Sequence, residues 1–211
     1  NEKTYYSLIS GMTIERRGWM DPHFVTNEVK QTVEFNGALI YISATALEAE
    51  EEVMPILQLV NSLEGKPPIV FIAPDIKGSA FSTILTNHSR GVIKTTCIKA
   101  PMFGELQDKV LEDLSILTGA TINNNSVNRI APEAVSAAMF GGCDEVRSSY
   151  EESMIIGGHG EEDKIITKIE ALDLELQNAE KDNASIQLID FIRERMSKLG
   201  NGIAQVFVGA L

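Results

Sequence analysis

Hydrophobic positions along this chain change their period several times, and each change marks an element. From Leu39 to Ile42, Ile69 to Ala73 and Val92 to Ile98 the apolar residues are dense and rich in β-branched types, as in strands covered on both faces. Between and after these runs come segments of helical period, Leu47 to Leu63, Ser79 to His88 and Glu105 to Leu117. Strand and helix in alternation predict an α/β layer with at least some parallel strands. Turn residues punctuate it at Gly65, Lys66, Pro67 and Pro68, at Pro74 and Asp75, and at Gly78, with no sign of a domain boundary. Residues 1 to 36 read differently. Short stretches such as Val33, Glu34 and Phe35 predict antiparallel β, which disfavours an all-parallel dinucleotide-binding sheet.

The second half is simpler. An Asn-, Ser- and Gly-rich region from Ala120 to Gly160 predicts a further β pair near Ser148 to Ile156. Two amphipathic helices follow, one on Ile165, Ile169, Leu172 and Leu176, the other on Ile189, Ile192, Met196 and Leu199. Lys181, Asp182 and Asn183 form a short polar link, so the pair is expected to fold as an antiparallel hairpin. There is no internal repeat and no low-complexity tract.

Two helices carry more apolar surface than one buried face needs. On the first, Val53, Ile56, Leu59, Val60 and Leu63 already make a core-facing stripe, which Met54 and Leu57 widen by about another 100°. On the second, Ala80 and Ile84 suffice as anchors, and Phe81 and Leu85 extend the stripe sideways. Either the segment of residues 1 to 36 covers both extensions, which periodicity slightly favours, or the helices border an apolar groove open to a peptide.

Composition narrows the function classes. With 211 residues and 44% hydrophobic content, the chain can bury the core of one domain. A net charge of −12 argues against nucleic acid and anionic membranes as partners, because both are themselves negative. Cys97 and Cys143 are too few for a disulfide scaffold and lack zinc-site spacing, so a reducing compartment is expected and no metal ligand is assigned. No apolar run reaches membrane-spanning length. The chain starts at Asn1 and ends on the apolar run Val206 to Leu211, and is expected to continue into a longer protein.

Candidate chemistry is sparse. His23, His88 and His159 fall on different elements, and no Ser, Cys and His stand at a nucleophile spacing. Gly157, Gly158, His159, Gly160, Glu161 and Glu162 lack the Lys and Ser/Thr of a phosphate loop, and read as a turn whose acidic residues open a helix. Glu48, Glu50, Glu51 and Glu52 read as the solvated first turn of a helix rather than as metal ligands. Catalytic residues are therefore assigned none. A small-molecule α/β enzyme with its site at the strand ends stays open as an alternative, although no glycine follows Leu39 to Ile42, where a nucleotide-binding fold usually has its Gly-rich turn.

Five stretches in fixed order resemble the GroEL-type chaperonins. They are Gly11, Met12 leading to Gly18, Trp19, Met20, Asp21, Pro22, His23 and Phe24; Ile72 to Ala80; Asn87 to Gly91; Lys99 to Gly104; and Leu117 to Gly119 followed by Gly160 to Glu162. The helical hairpin ending in Lys198, Leu199, Gly200, Asn201 and Gly202 closes the register.

This resemblance implies a three-layer apical-domain fold, a mixed sheet flanked by helices with an antiparallel β segment and a C-terminal helical hairpin. It implies one substrate-binding domain over residues 1–211, with residues 1–10 and 203–211 as hinge segments toward an intermediate domain. By register, Trp19, His23, Phe24, Met54, Leu57, Phe81, Leu85, Thr86 and Asn87 take the positions that bind nonnative polypeptide, and Gly11 and Gly202 those of the hinge. Unfolded or partly folded polypeptides, a GroES-type co-chaperonin and a homo-oligomeric ring are the implied partners. ATP and Mg would belong to an equatorial domain outside this segment, and none is expected here. The cytoplasm of a bacterial or phage-infected cell fits better than an organelle matrix. His23 stands where the family has Tyr, Thr86 where it has Val and Asp21 where it has Ser, which makes this groove more polar.

Overall fold

The computed structural model describes residues 4–9, 11–123, 134–201 and 203–208. Strands β1 (Thr4–Ile9), β2 (Gly11–Glu15) and β3 (Val33–Ser43) precede helix α1 (Glu50–Ser62). Then β4 (Ile69–Ala73), α2 (Gly78–Ser89), β5 (Thr95–Lys99), α3 (Gly104–Thr118) and the short β6 (Ile122–Asn123) alternate. After them come β7 (Gly141–Ser148), β8 (Glu152–Gly158), α4 (Glu162–Lys181), α5 (Ile186–Asn201) and β9 (Ile203–Val208).

The α/β layer that the sequence predicts is present, with mixed pairing. One sheet of seven strands runs β2-β8-β7-β3-β4-β5, with β6 beside the end of β3. β3 pairs parallel with β4 and β6, and β4 parallel with β5, whereas β7, β8 and β2 are added antiparallel. Val33 to Phe35 and Leu39 to Ile42, separate stretches in the sequence reading, are halves of one strand. Its first half pairs with β7 and its second with β4. The expected β pair near Ser148 begins earlier, at Gly141, because the apolar signal of β7 is interrupted by Asp144, Glu145 and Arg147.

Handedness places the helices. The chain steps β3, β4, β5 in one direction, and right-handed crossovers put α1 and α2 on one face. It then turns back past β3 to β6, which sends α3 to the opposite face. Every residue of β4 is buried, as cover on both faces requires. The α4–α5 hairpin packs on α3, locked by Asp113 and Arg195, 1% and 4% exposed, through bonds of 2.7 and 2.9 Å. β1 and β9 form a separate two-stranded antiparallel ladder that joins the two ends of the chain.

Candidate functional site

The two helices with wide stripes lie side by side, and their N-termini are fastened together. The Ser79 hydroxyl accepts from the Glu50 amide at 3.0 Å, and the Ala80 amide donates to the Glu48 carbonyl at 3.1 Å. Gly78 makes this approach possible. Its φ is +60°, and a Cβ there would stand 2.8 Å from the Glu48 carbonyl oxygen. Lys77 adds an ion pair with Glu48 at 3.1 Å.

The acidic run at the start of α1 caps the helix. The Glu52 carboxylate accepts from the amides of Glu48 and Ala49 at 2.8 and 2.9 Å, and Glu50, Glu51 and Glu52 all sit at the positive end of the helix. Pro55 follows within α1, where it removes one backbone donor.

The structure divides the expected binding residues. Phe81 and Leu85 are half-buried against the core, Met54 is half-buried, and Thr86 and His23 are exposed. Leu57 and Phe24 are different: they are 1% and 0% exposed, inside the core. Leu57 therefore offers no surface in this conformation, contrary to the binding position that the resemblance implies for it. At about 100° per residue it lies only about 40° round the wheel from the core position Val53, close enough for packing to enclose it.

Phe24 is covered through the segment of residues 1 to 36. The 3₁₀ turn Pro22–Phe24 lies on α2 and inserts the ring edge-on against Phe81, with centroids 6.0 Å apart, and against His88 at 5.5 Å. The reading in which that segment covers the extensions thus holds for one side of Phe81.

Local chemistry builds that turn. Asp21 caps it, accepting from the His23 amide at 2.8 Å and meeting the His23 imidazole at 2.6 Å. Slight burial raises the Asp21 carboxyl, but the His23 amide and ring outweigh it and hold the acid below its ordinary range. Asn87 turns back, its amide donating to the Thr83 carbonyl at 2.8 Å. Gly11 begins β2 opposite Ile156, and Gly202 lies outside the described residues.

Trp19 stands in another setting. Its indole N–H donates to the Gln31 carbonyl at 3.0 Å, and its ring meets Tyr150 edge-on at 5.4 Å. These two rings border an open cleft of about 640 Å³, also lined by Arg16, Arg17, Met20 and Lys99. Sequence reasoning missed Tyr150, which is 74% exposed in the β7–β8 turn and has no motif around it. It also gave His88 no role of its own, although spacing from Phe81 and Ile84 puts it on their face.

At the parallel strand ends, where the alternative reading puts a site, polar side chains bond one another and the backbone. The Asn123 amide donates to the Tyr41 hydroxyl at 2.8 Å, and Ser43 donates to the Thr45 carbonyl at 2.7 Å. Burial raises the Tyr41 phenol, only partly offset by Asn123. Among the described residues no group of three His, Cys, Asp or Glu side chains could hold a metal ion.

Sequence comparison finds chaperonin relatives. The Caenorhabditis elegans mitochondrial chaperonin homolog Hsp-60 is 32% identical over 202 residues, which are 96% of this chain and 34% of that protein. The chain is GroEL-like along its whole length. Chaperonin GroEL 1 of Rhodopirellula baltica is 30% identical over 210 residues, all of this chain and 35% of the relative. The GroEL-like segment therefore spans about a third of the length of these relatives. No family model matches it. The relatives come from a mitochondrion and a bacterium, and so favour no single compartment. Among the described residues, no helix of the GroEL-like segment is long and apolar enough to cross a membrane.

Proposed function

We propose that this chain captures nonnative polypeptides on its α1–α2 face, as the substrate-binding domain of a larger chaperonin. The observation that carries the reading is the half-open strip of Met54, Phe81 and Leu85, rimmed by Thr86 and His23, in a segment GroEL-like from end to end. An apolar strip with a flexible methionine and a polar rim accepts varied apolar segments without fixing one sequence. Trp19 and Tyr150 extend the candidate surface with two large rings that keep a polar edge.

Residues 1–211 form one domain in this reading, and the ladder of Thr4–Ile9 with Ile203–Val208 gives it the form of an insertion that leaves and returns at one place. ATP, Mg, ring assembly and a GroES-type partner belong to the whole chaperonin, and this chain by itself turns over no nucleotide.

The test is aggregation of a chemically denatured protein diluted into buffer, with and without a molar excess of the chain and without nucleotide. Slower aggregation is expected. Identical light-scattering traces would sink the reading. A thermal shift with millimolar ATP would instead indicate a nucleotide site in the chain, because a ligand that binds only the folded state must stabilise it.

A further inference from the structure

We propose that His88 is a positioning residue of this site: its neutral imidazole latches the Pro22–Phe24 turn onto α2 and β5, and so sets how much aromatic surface a client meets. The inference rests on the reading of α1–α2 as the client surface.

Four segments converge on one half-buried ring. His88 lies in the last turn of α2, and its Nδ1 accepts from the Thr95 amide at 3.1 Å. β5 is the edge strand of the sheet, so the imidazole takes the place that a further strand would take. An accepting Nδ1 carries no proton, which leaves Nε2–H as the one ring donor. Phe24 packs edge-on to the ring at 5.5 Å, and Phe35 of β3 lies tilted against it at 6.3 Å.

Protonation is incompatible with this arrangement. A second proton can only go to Nδ1, where it would face the Thr95 N–H donor to donor and place a cation against the Phe24 and Phe35 rings. No nearby group compensates. On the Pro22–Phe24 turn, Asp21 and His23 are occupied with each other. On β3, Glu34 pairs with Lys30 at 3.6 Å; on β5, Lys99 pairs with Asp75 at 2.9 Å; and Arg90 and Lys94, close to His88 and Thr95 in the chain, are further cations. Among the described residues His88 makes no ion pair.

Burial lowers the His88 pKa, against a smaller upward pull from the Phe24 carbonyl. The unlatched chain therefore takes up the proton more readily. The latch is complete above the ordinary histidine pKa of about 6.5 and is lost as pH falls through that value toward the lower one of the latched state. Opening frees Phe24 and the covered side of Phe81 for apolar partners.

Hydrogen exchange at the Thr95 amide and fluorescence of 8-anilinonaphthalene-1-sulfonate, followed on this chain without client from about pH 8 to 5, test the proposal. In the wild type, exchange corrected for its intrinsic rate is expected to accelerate roughly tenfold or more on acidification, and dye fluorescence to rise with it. His88→Asn keeps an acceptor where Nδ1 stands and cannot take up the proton, so it is expected to stay protected with a flat dye profile. His88→Ala is expected to bind dye strongly at every pH.

An unchanged acid response in His88→Asn overturns the proposal, as does its loss in His23→Asn with His88 intact. Should the His88 variants fail to fold, nitrogen-15 shifts of the wild-type imidazole decide: a proton on Nδ1 at neutral pH overturns the latch, and a neutral Nε2–H ring supports it. Capture of a denatured protein is measured separately at each pH. Acid opening without any capture upholds the latch and removes the client reading; capture without opening does the reverse.

Discussion

Leu57 and Leu85 are the same residue type on α1 and α2, and the structure gives them opposite settings. Leu57 is 1% exposed within the core, whereas Leu85 is half-buried at its margin. Truncation to alanine removes three carbons, worth about 0.8 kcal/mol each when fully buried, or about 2.4 kcal/mol. At Leu57 an enclosed cavity adds to that loss, which gives about 3 to 4 kcal/mol, within the range of buried Leu→Ala changes. At Leu85 solvent fills the space and only part of the transfer term applies, about 1 kcal/mol. Urea midpoints measured at constant m-value report both, with Ile72→Ala in the central strand as a fully buried reference. Client binding by the folded fraction should show the reverse order: nearly unchanged in Leu57→Ala and weakened in Leu85→Ala. The division of the groove would be refuted if Leu57→Ala cost no more than Leu85→Ala, or if it alone abolished binding while the chain stayed folded.

The alternation of β4, α2, β5 and α3 was legible because each element is nearly pure in period and bounded by Gly or Pro. The antiparallel half was less so. β7 reads as polar because Asp144, Glu145 and Arg147 break its alternation, and only its pairing with β3 and β8 makes it a strand. At the site, the wheel marks α1 and α2 as wide-striped but cannot say which residues the core or a neighbouring segment covers. That depends on the Pro22–Phe24 turn reaching α2 across more than fifty residues of chain, a contact without local signature. The acidic residues at the start of α1 were legible as a helix's first turn, but only the geometry of the Glu52 carboxylate on two amides identifies a cap.

Other consequences can be measured directly. Gly18→Ala would bring a Cβ to within 2.1 Å of the Ser149 carbonyl oxygen and 2.2 Å of that of Tyr150, so the β7–β8 turn must move; the fluorescence of Trp19, the sole tryptophan, should change even where the fold survives. Cys97 and Cys143 are both fully buried, and burial raises the Cys97 thiol strongly and the Cys143 thiol to about 11, so reaction with a thiol reagent at pH 8 should be slow and should accelerate only on addition of denaturant; fast labelling in buffer would contradict their burial. Arg195→Met strips Asp113, 1% exposed, of its two bonds, and since burial already raises that carboxyl, it must either stay charged without a partner or take up a proton, at a cost of about 3 to 5 kcal/mol. Arg195→Met with Asp113→Leu removes both charges and should recover most of that loss, since two apolar side chains can fill the space between α3 and α5. A double variant as unstable as the single one would mean that the pair matters for the shape it imposes on the helical hairpin and not for its charge.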